Sequence, residues 1–286
     1  MVFSETRAQR TLRPVRLFVT AGAAIAFLTA GPAARAQDER PWRHFVVEAL
    51  KAASVQDYPK AEQGLVRAVR EAESFGQNDI RVGSTLNSLG LVYRAEKKYS
   101  EAEAAYRRAL VIMEATYGES IDVGNVNFNI AGVMFDQGHQ VDALPNVRKS
   151  LAIYEKLLGD SSLKTAAALC MEGDAYRVMK RYPEAETALR RCADIREMDS
   201  GLESNELADA LYSLGLTFMG EGKFSAAEPR LAIAERIREK TLGITNPLLA
   251  QTMEDHAAVL KELGRYREAG KLTTIAAAIR RSQKGK

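Results

Sequence analysis

The sequence predicts an all-α fold, a solenoid of about six stacked helix–turn–helix units. Three observations carry this. An aromatic recurs as Tyr58, Tyr99, Tyr182, Phe224 and Tyr266, with Gln140 in one slot, at steps of 41, 41, 42, 42 and 42 residues. An alanine follows three residues after each: Ala61, Ala102, Ala143, Ala185, Ala227, Ala269. Self-similarity at a fixed period of this size marks supersecondary units that cannot bury their apolar faces alone and must be covered by neighbours. Finally, residues Ser84–Gly118 hold two helical patterns back to back. Leu86, Leu89, Gly90 and Tyr93 fall at i, i+3, i+4, i+7, and Ala102, Tyr106, Ala109 and Met113 repeat the face. The polar turn between them offers Ser100 as an N-cap, with Glu103 three residues on as a capping box.

The order Leu-x-x-Leu-Gly-x-x-Tyr, then Ala-x-x-x-Tyr, then Ala resembles the tetratricopeptide repeat, and Leu86, Leu89, Gly90, Tyr93, Ala102, Tyr106 and Ala109 carry it. The usual repeat is 34 residues. The longer units here, ending in a Glu-x-x-(x)-Gly stretch, resemble those of kinesin light chains and their bacterial relatives, over roughly residues 42–282. The resemblance implies a right-handed superhelix whose first helices line a concave surface. It implies little about function, since such repeats bind unrelated partners.

In chain order, residues 1–36 differ from the rest. Arg7, Arg10, Arg13 and Arg16 precede an uncharged run, Leu17–Ala34, broken by Gly31-Pro32 and followed by Ala34-Arg35-Ala36, a small-x-small cleavage site. That is the plan of a secretory signal peptide, cleaved before Gln37. The alternative is an uncleaved membrane anchor, since the run could just span. Losing five arginines and one glutamate takes the net charge from +3 to −1. A near-neutral array offers no basic face for nucleic acid, and after cleavage no segment for a membrane. The array itself is expected over 37–281, with 282–286 a disordered basic tail.

Small residues recur in the first helix of each unit: Ala49, Gly90, Ala131, Gly173, Gly215, Ala257. They are expected opposite the recurrent alanine, where helices approach closely only if neither side chain intrudes. A second small series, Ala68, Ala109, Ser150, Cys192, Ala234, Ala276, should pack on the following unit. Ile112, Ile153, Ile195, Ile237 and Ile279 prolong the second helices to Gly76, Gly118, Gly159, Gly201 and Gly243, good C-terminal residues. Glu73, Glu114, Glu155, Glu197 and Glu239 stand where the family has a proline, and are expected to be solvated or paired with cations. The third unit departs most, with Gln140 for the aromatic and Pro145 inside its second helix, and is expected to be a soft joint. The last helix should leave Leu272, Ile275, Ala276 and Ile279 open where a seventh unit would sit, a surface for self-association or docking.

His44, His139 and His256 are scattered without metal-ligand spacing. No nucleophile-elbow, phosphate-loop or dinucleotide motif occurs, so no catalytic residue, cofactor or metal is assigned. Cys170 and Cys192 belong to one unit, and an exported protein would meet an oxidising compartment, so a disulfide is allowed. The reading preferred from sequence is two thiols, since Cys192 fills a small packing site and Cys170 falls on another face of its helix. One helical turn from the core stripe lie Asn87, Leu91 and Arg94, then Asn125, Phe128 and Phe135, then Asp174 and Arg177, then Tyr212, Leu216 and Met219. Aromatics, amides and arginine on one face suit a peptide groove, with anchors for side chains and donors for a backbone. Alternatively the aromatics pack between neighbouring first helices. The expected function is a non-enzymatic, exported, periplasmic or secreted scaffold for a protein or peptide partner. The alternatives are an accessory subunit of an envelope assembly or polysaccharide export machine, and a detached sensor module of an enzyme system.

Overall fold

The computed structural model describes residues 39–284. The leader expected at 1–36 lies outside them. Among the described residues there are twelve α-helices and no strand. First helices are α1 (Arg40–Ser54), α3 (Ile80–Ala95), α5 (Ile121–Asp136), α7 (Leu163–Val178), α9 (Asn205–Gly220) and α11 (Pro247–Glu262). Second helices are α2 (Tyr58–Glu73), α4 (Tyr99–Tyr117), α6 (Gln140–Leu158), α8 (Tyr182–Ser200), α10 (Phe224–Leu242) and α12 (Tyr266–Lys284). The chain forms two compact units, divided between Ile153 and Tyr154 inside α6, the second helix of the unit that lacks the turn aromatic.

The hairpin turn is the same in every repeat. Three residues join the helices, and the middle one has positive φ: Gln56, Lys97, Gly138, Lys180, Gly222, Gly264. This folds the next N–H back onto a carbonyl five residues earlier, as in Lys98 N–H to Tyr93 O at 2.8 Å, satisfying an end-of-helix acceptor. The turn also corrects the expected capping box. Helix α4 begins at Tyr99 with Lys98 at its N-cap, and Ser100 lies inside the first turn. Glu103 instead binds Arg107 at 2.6 Å. Side-chain caps sit on five of the six first helices, where the oxygens of Asp79, Ser120, Ser162, Ser204 and Asn246 each accept from an N–H two or three residues on, and on α2, where Asp57 accepts from the Lys60 N–H.

Glycines close the second helices at Gly118, Gly159, Gly201 and Gly243, as expected. At Gly118 the backbone is not left-handed helical, however. Its φ of 59° comes with an extended ψ of −133°, a region open in practice to glycine alone.

The small positions are close contacts beside the recurrent alanine, as at Gly173 and Ala185 O, 3.3 Å from an added Cβ, though the nearest atoms belong to the residue one turn further on. A Cβ on Gly90, Gly173 or Gly215 would lie 2.6 Å from Tyr106, 2.5 Å from Leu189 or 2.8 Å from Leu231. Each of these residues follows the recurrent alanine by four, and the alanines are fully buried beside them. The core of the first unit runs unbroken from Ala49 to Ile153 through Leu65, Leu86, Tyr106 and Ile130.

Three expectations change. Cys170 and Cys192 form a disulfide between α7 and α8, with Cα atoms 5.6 Å apart. The small site holding Cys192 faces the partner helix closely enough for a bridge, which spacing along the sequence does not reveal. The apolar strip on α12 is largely turned inward: Ala276 and Ile279 pack on Leu249, Ala250 and Met253, and Leu272 packs there and on Leu260, leaving Ile275 exposed. A 19-residue helix finds cover for that stripe in its own hairpin. Helix α12 also runs on to Lys284, past the expected end of the array, and Gln283 donates to the Thr245 carbonyl at 2.9 Å.

Candidate binding faces on the first helices

In the first unit the residues singled out from sequence fall on α3 and α5, but in two different states. Arg94 is buried and its guanidinium binds Asp136 at 2.6 Å, both side chains at most a tenth exposed. It lies flat over Gly132, where a Cβ would come within 2.6 Å of Nη1. Phe135 is buried as well. Asn87 accepts from the Asn129 amide at 3.0 Å. Leu91 is partly buried against the core, and Asn125 and Phe128 are half-buried.

These contacts form rungs. Trp42 donates to Thr85 at 3.0 Å, Arg81 binds Glu39 at 2.5 Å, Asn129 binds Asn87, and Arg94 binds Asp136. The partners are 42 or 43 residues apart, one repeat, so each rung ties a first helix to the next first helix. Sequence reasoning placed Asn87 and Arg94 on the face but missed their partners. Asp136 sits one residue out of register with the row containing Arg94, and only the packing of α3 on α5 brings the two together.

The second unit repeats the device on α9 and α11. Tyr212 donates to Asp255 at 2.6 Å, Gln251 donates to the same carboxylate at 2.9 Å, and Arg280 binds Gln251 at 3.0 Å. Arg238 lies 4.5 Å above the Tyr212 ring and donates to Asp209 at 2.6 Å and Thr252 at 2.5 Å. Burial raises the Tyr212 hydroxyl well above its ordinary range, and the Asp255 carboxylate it bonds raises it further. Burial raises Asp255 too, opposed by the hydrogen bonds from Gln251 and Tyr212. On α7, Arg177 binds Asp174 at 3.1 Å, and Leu216 is half-buried on α9.

The opposite helices carry charge pairs. Glu73, Glu114 and Glu155 each meet a cation from the next second helix: Arg108 at 2.7 Å, Lys149 and Arg191. Glu197 and Glu239 are exposed. Among the described residues no group of three or more His, Cys, Asp or Glu lies together to hold a metal. No described helix is long and apolar enough to cross a membrane.

Two tetratricopeptide repeat family models match the sequence, over residues 82–120 and 122–198. No curated protein matches. Among solved structures, the chain is similar to BtubC (BKLC) from P. vanneervenii, at 22% identity and TM-score 0.67, over 80% of this chain and 93% of that one. It is similar to repeats assigned to a kinesin light chain of Podosopora anserina, at 19% identity and TM-score 0.60, over 73% and 98%. It also matches Pseudomonas aeruginosa pilF at 12% identity and TM-score 0.59, over 82% and 89%. At these identities the likeness is one of fold. Residues 82–120 and 122–198 thus match tetratricopeptide repeats, and helix pairs in series at a 41–42-residue period carry the same fold from α1 to α12, a solenoid similar to that of kinesin-light-chain-type repeat structures.

Proposed function

We propose that this protein is an exported, non-enzymatic scaffold that binds a protein or peptide partner on the faces of its first helices. The rungs are the observation that carries the reading. Trp42–Thr85, Asn87–Asn129 and Arg94–Asp136 in the first unit, and Tyr212–Asp255 in the second, spend hydrogen bonds on holding successive first helices in place. Half-buried Leu91 stands between Asn87 and Arg94 on α3, half-buried Asn125 and Phe128 stand within one turn of Asn129 on α5, and half-buried Asp174 and Arg177 on α7 and Leu216 on α9 belong to the second unit. A held surface loses little entropy when it binds, which favours a preformed peptide site. Arg94 and Phe135 serve this reading as framework rather than as contacts. Export is supported by the arginine-led, uncharged N-terminal stretch and by the Cys170–Cys192 bridge, which suits an oxidising compartment.

Affinity capture with the exported chain as bait tests binding. Asn125→Ala with Phe128→Ala, and separately Arg177→Ala, should reduce recovery of a partner while helicity stays unchanged. Equal recovery by the wild type and both variants refutes the faces named. Mass spectrometry of exported protein should find Gln37 at the N-terminus; an intact chain from Met1 in washed membranes refutes cleavage.

A further inference from the structure

We propose that the Cys170–Cys192 bridge is a redox latch on the fourth helix pair. Oxidised, α7 and α8 are an ordered part of the second unit. Reduced, this pair opens ahead of the helices that follow it.

Three features of the pair point to this. Its core is built largely of alanine: Ala166, Ala168, Ala175, Ala185, Ala188 and Ala193 are all buried, with only a few larger side chains, such as Leu169, Tyr176, Leu189 and Ile195, among them. The neighbouring fifth pair has the opposite balance by a small margin, with Leu207, Leu214, Phe218, Leu231 and Ile237 buried against four alanines, Ala208, Ala210, Ala227 and Ala234. Each methylene missing from a core removes part of its driving force, so the fourth pair is held less firmly by burial. Its turn also carries Lys180 at φ 58°, a conformation that a side chain disfavours. The covalent link then joins α7 to α8 across 22 residues, within this weak hairpin. Closing a loop of that length shifts the opening equilibrium by on the order of a hundredfold.

Access is asymmetric. Cys192 is fully buried and Cys170 only partly so. A thiolate of a dithiol reagent attacks Cys170 Sγ, the S–S bond breaks, and Cys192 leaves as thiolate. The reagent's second thiol then displaces Cys170 and closes its own disulfide. Two electrons pass from reagent to protein, and the two cysteines end protonated. In a cell the co-reactant is a protein dithiol, or two molecules of a small monothiol, the second attacking the mixed disulfide and leaving joined to the first. The consequence is compartment-dependent order: the pair is loose where thiols are kept reduced and closes where they are oxidised.

Hydrogen exchange of the full mature chain, oxidised or treated with dithiothreitol, tests the latch. The expected result is exchange faster by on the order of a hundredfold at amides of α7 and α8 after reduction, with α9 to α12 and the first unit changed far less. Cys170→Ala with Cys192→Ala keeps the small site small and should exchange like the reduced wild type, with or without dithiothreitol. Unchanged protection of α7 and α8 on reduction overturns the proposal. So does an equal loss of protection in every helix, which would make the bridge a general brace rather than a local latch.

Discussion

Gly90 sets two effects of opposite sign against each other. In an isolated helix, Gly→Ala stabilises by up to about 1 kcal/mol. Here the added Cβ would lie 2.6 Å from the ring of Tyr106, which is fully buried and has no room to swing away. Overpacking of this kind costs about 1–3 kcal/mol, so Gly90→Ala should lower stability by about 1–2 kcal/mol net. A raised urea midpoint would remove the packing role given to this position. Asp79 makes a second test at this scale. Hydrogen bonds from Arg81 hold its carboxyl below the ordinary value, against the opposing effect of burial. A depressed carboxylate contributes stability above its unfolded pKa of about 3.9 and loses it as pH falls through the folded value. Asp79→Asn keeps a capping oxygen but loses the ion pair, and should cost about 1–2 kcal/mol at neutral pH. In urea titrations the gap from wild type should close as pH falls below about 4; a gap constant from pH 7 to 3 would contradict the pairing. Gly90 was legible from sequence because small residues recur at one spacing. The burial of Arg94 was not, because its partner Asp136 breaks the register by a residue.

At the scale of the element, each of the six hairpin turns demands positive φ at its middle position, and the sequence meets the demand unevenly. Gly138, Gly222 and Gly264 adopt it freely; Gln56, Lys97 and Lys180 do so against their side chains. Lys97→Gly should therefore stabilise by about 1 kcal/mol, read as a higher thermal midpoint, whereas Gly138→Lys should lower it by a similar amount. Opposite signs are needed; a loss from both would mean that Lys97 contributes more through contacts than it costs in strain. The same turn explains why the helix ends were only partly legible. The aromatic marks the first residue of each second helix, with Gln140 in its place in the third, but the turn is closed by backbone bonds rather than by the Ser100 side chain that the sequence suggested. Conversely, Asp79, Ser120, Ser162, Ser204 and Asn246 recur at 41–42 residues just after the glycines, a cap series present in the sequence all along. The exposed glutamate–cation pairs between second helices are worth under about 1 kcal/mol each and order the surface more than they stabilise it.

Over the whole molecule, the array was legible because period is a global property: six copies in register leave one architecture. The change of period from 41 to 42 residues sits in the loops, since three residues join α4 to α5 and four join α6 to α7, α8 to α9 and α10 to α11. The disulfide and the closure of α12 over its own stripe depend on how two helices are rotated about their axes, which spacing along the chain leaves open. Function belongs to faces, and two kinds of face are available. First helices present Asn125, Phe128 and Leu216 beside the rungs, whereas second helices present Val111 and Val141 among charges. The central claim is that partners bind the first kind. Its most direct test is affinity of a captured partner for the oxidised mature chain, compared among wild type, Asn125→Ala with Phe128→Ala, Leu216→Ala, and Val111→Ser with Val141→Ser. The account predicts a loss of at least about tenfold, some 1.4 kcal/mol, in the first-helix variants and wild-type affinity in the second-helix variant. The reverse pattern, binding lost only with Val111 and Val141, would contradict it.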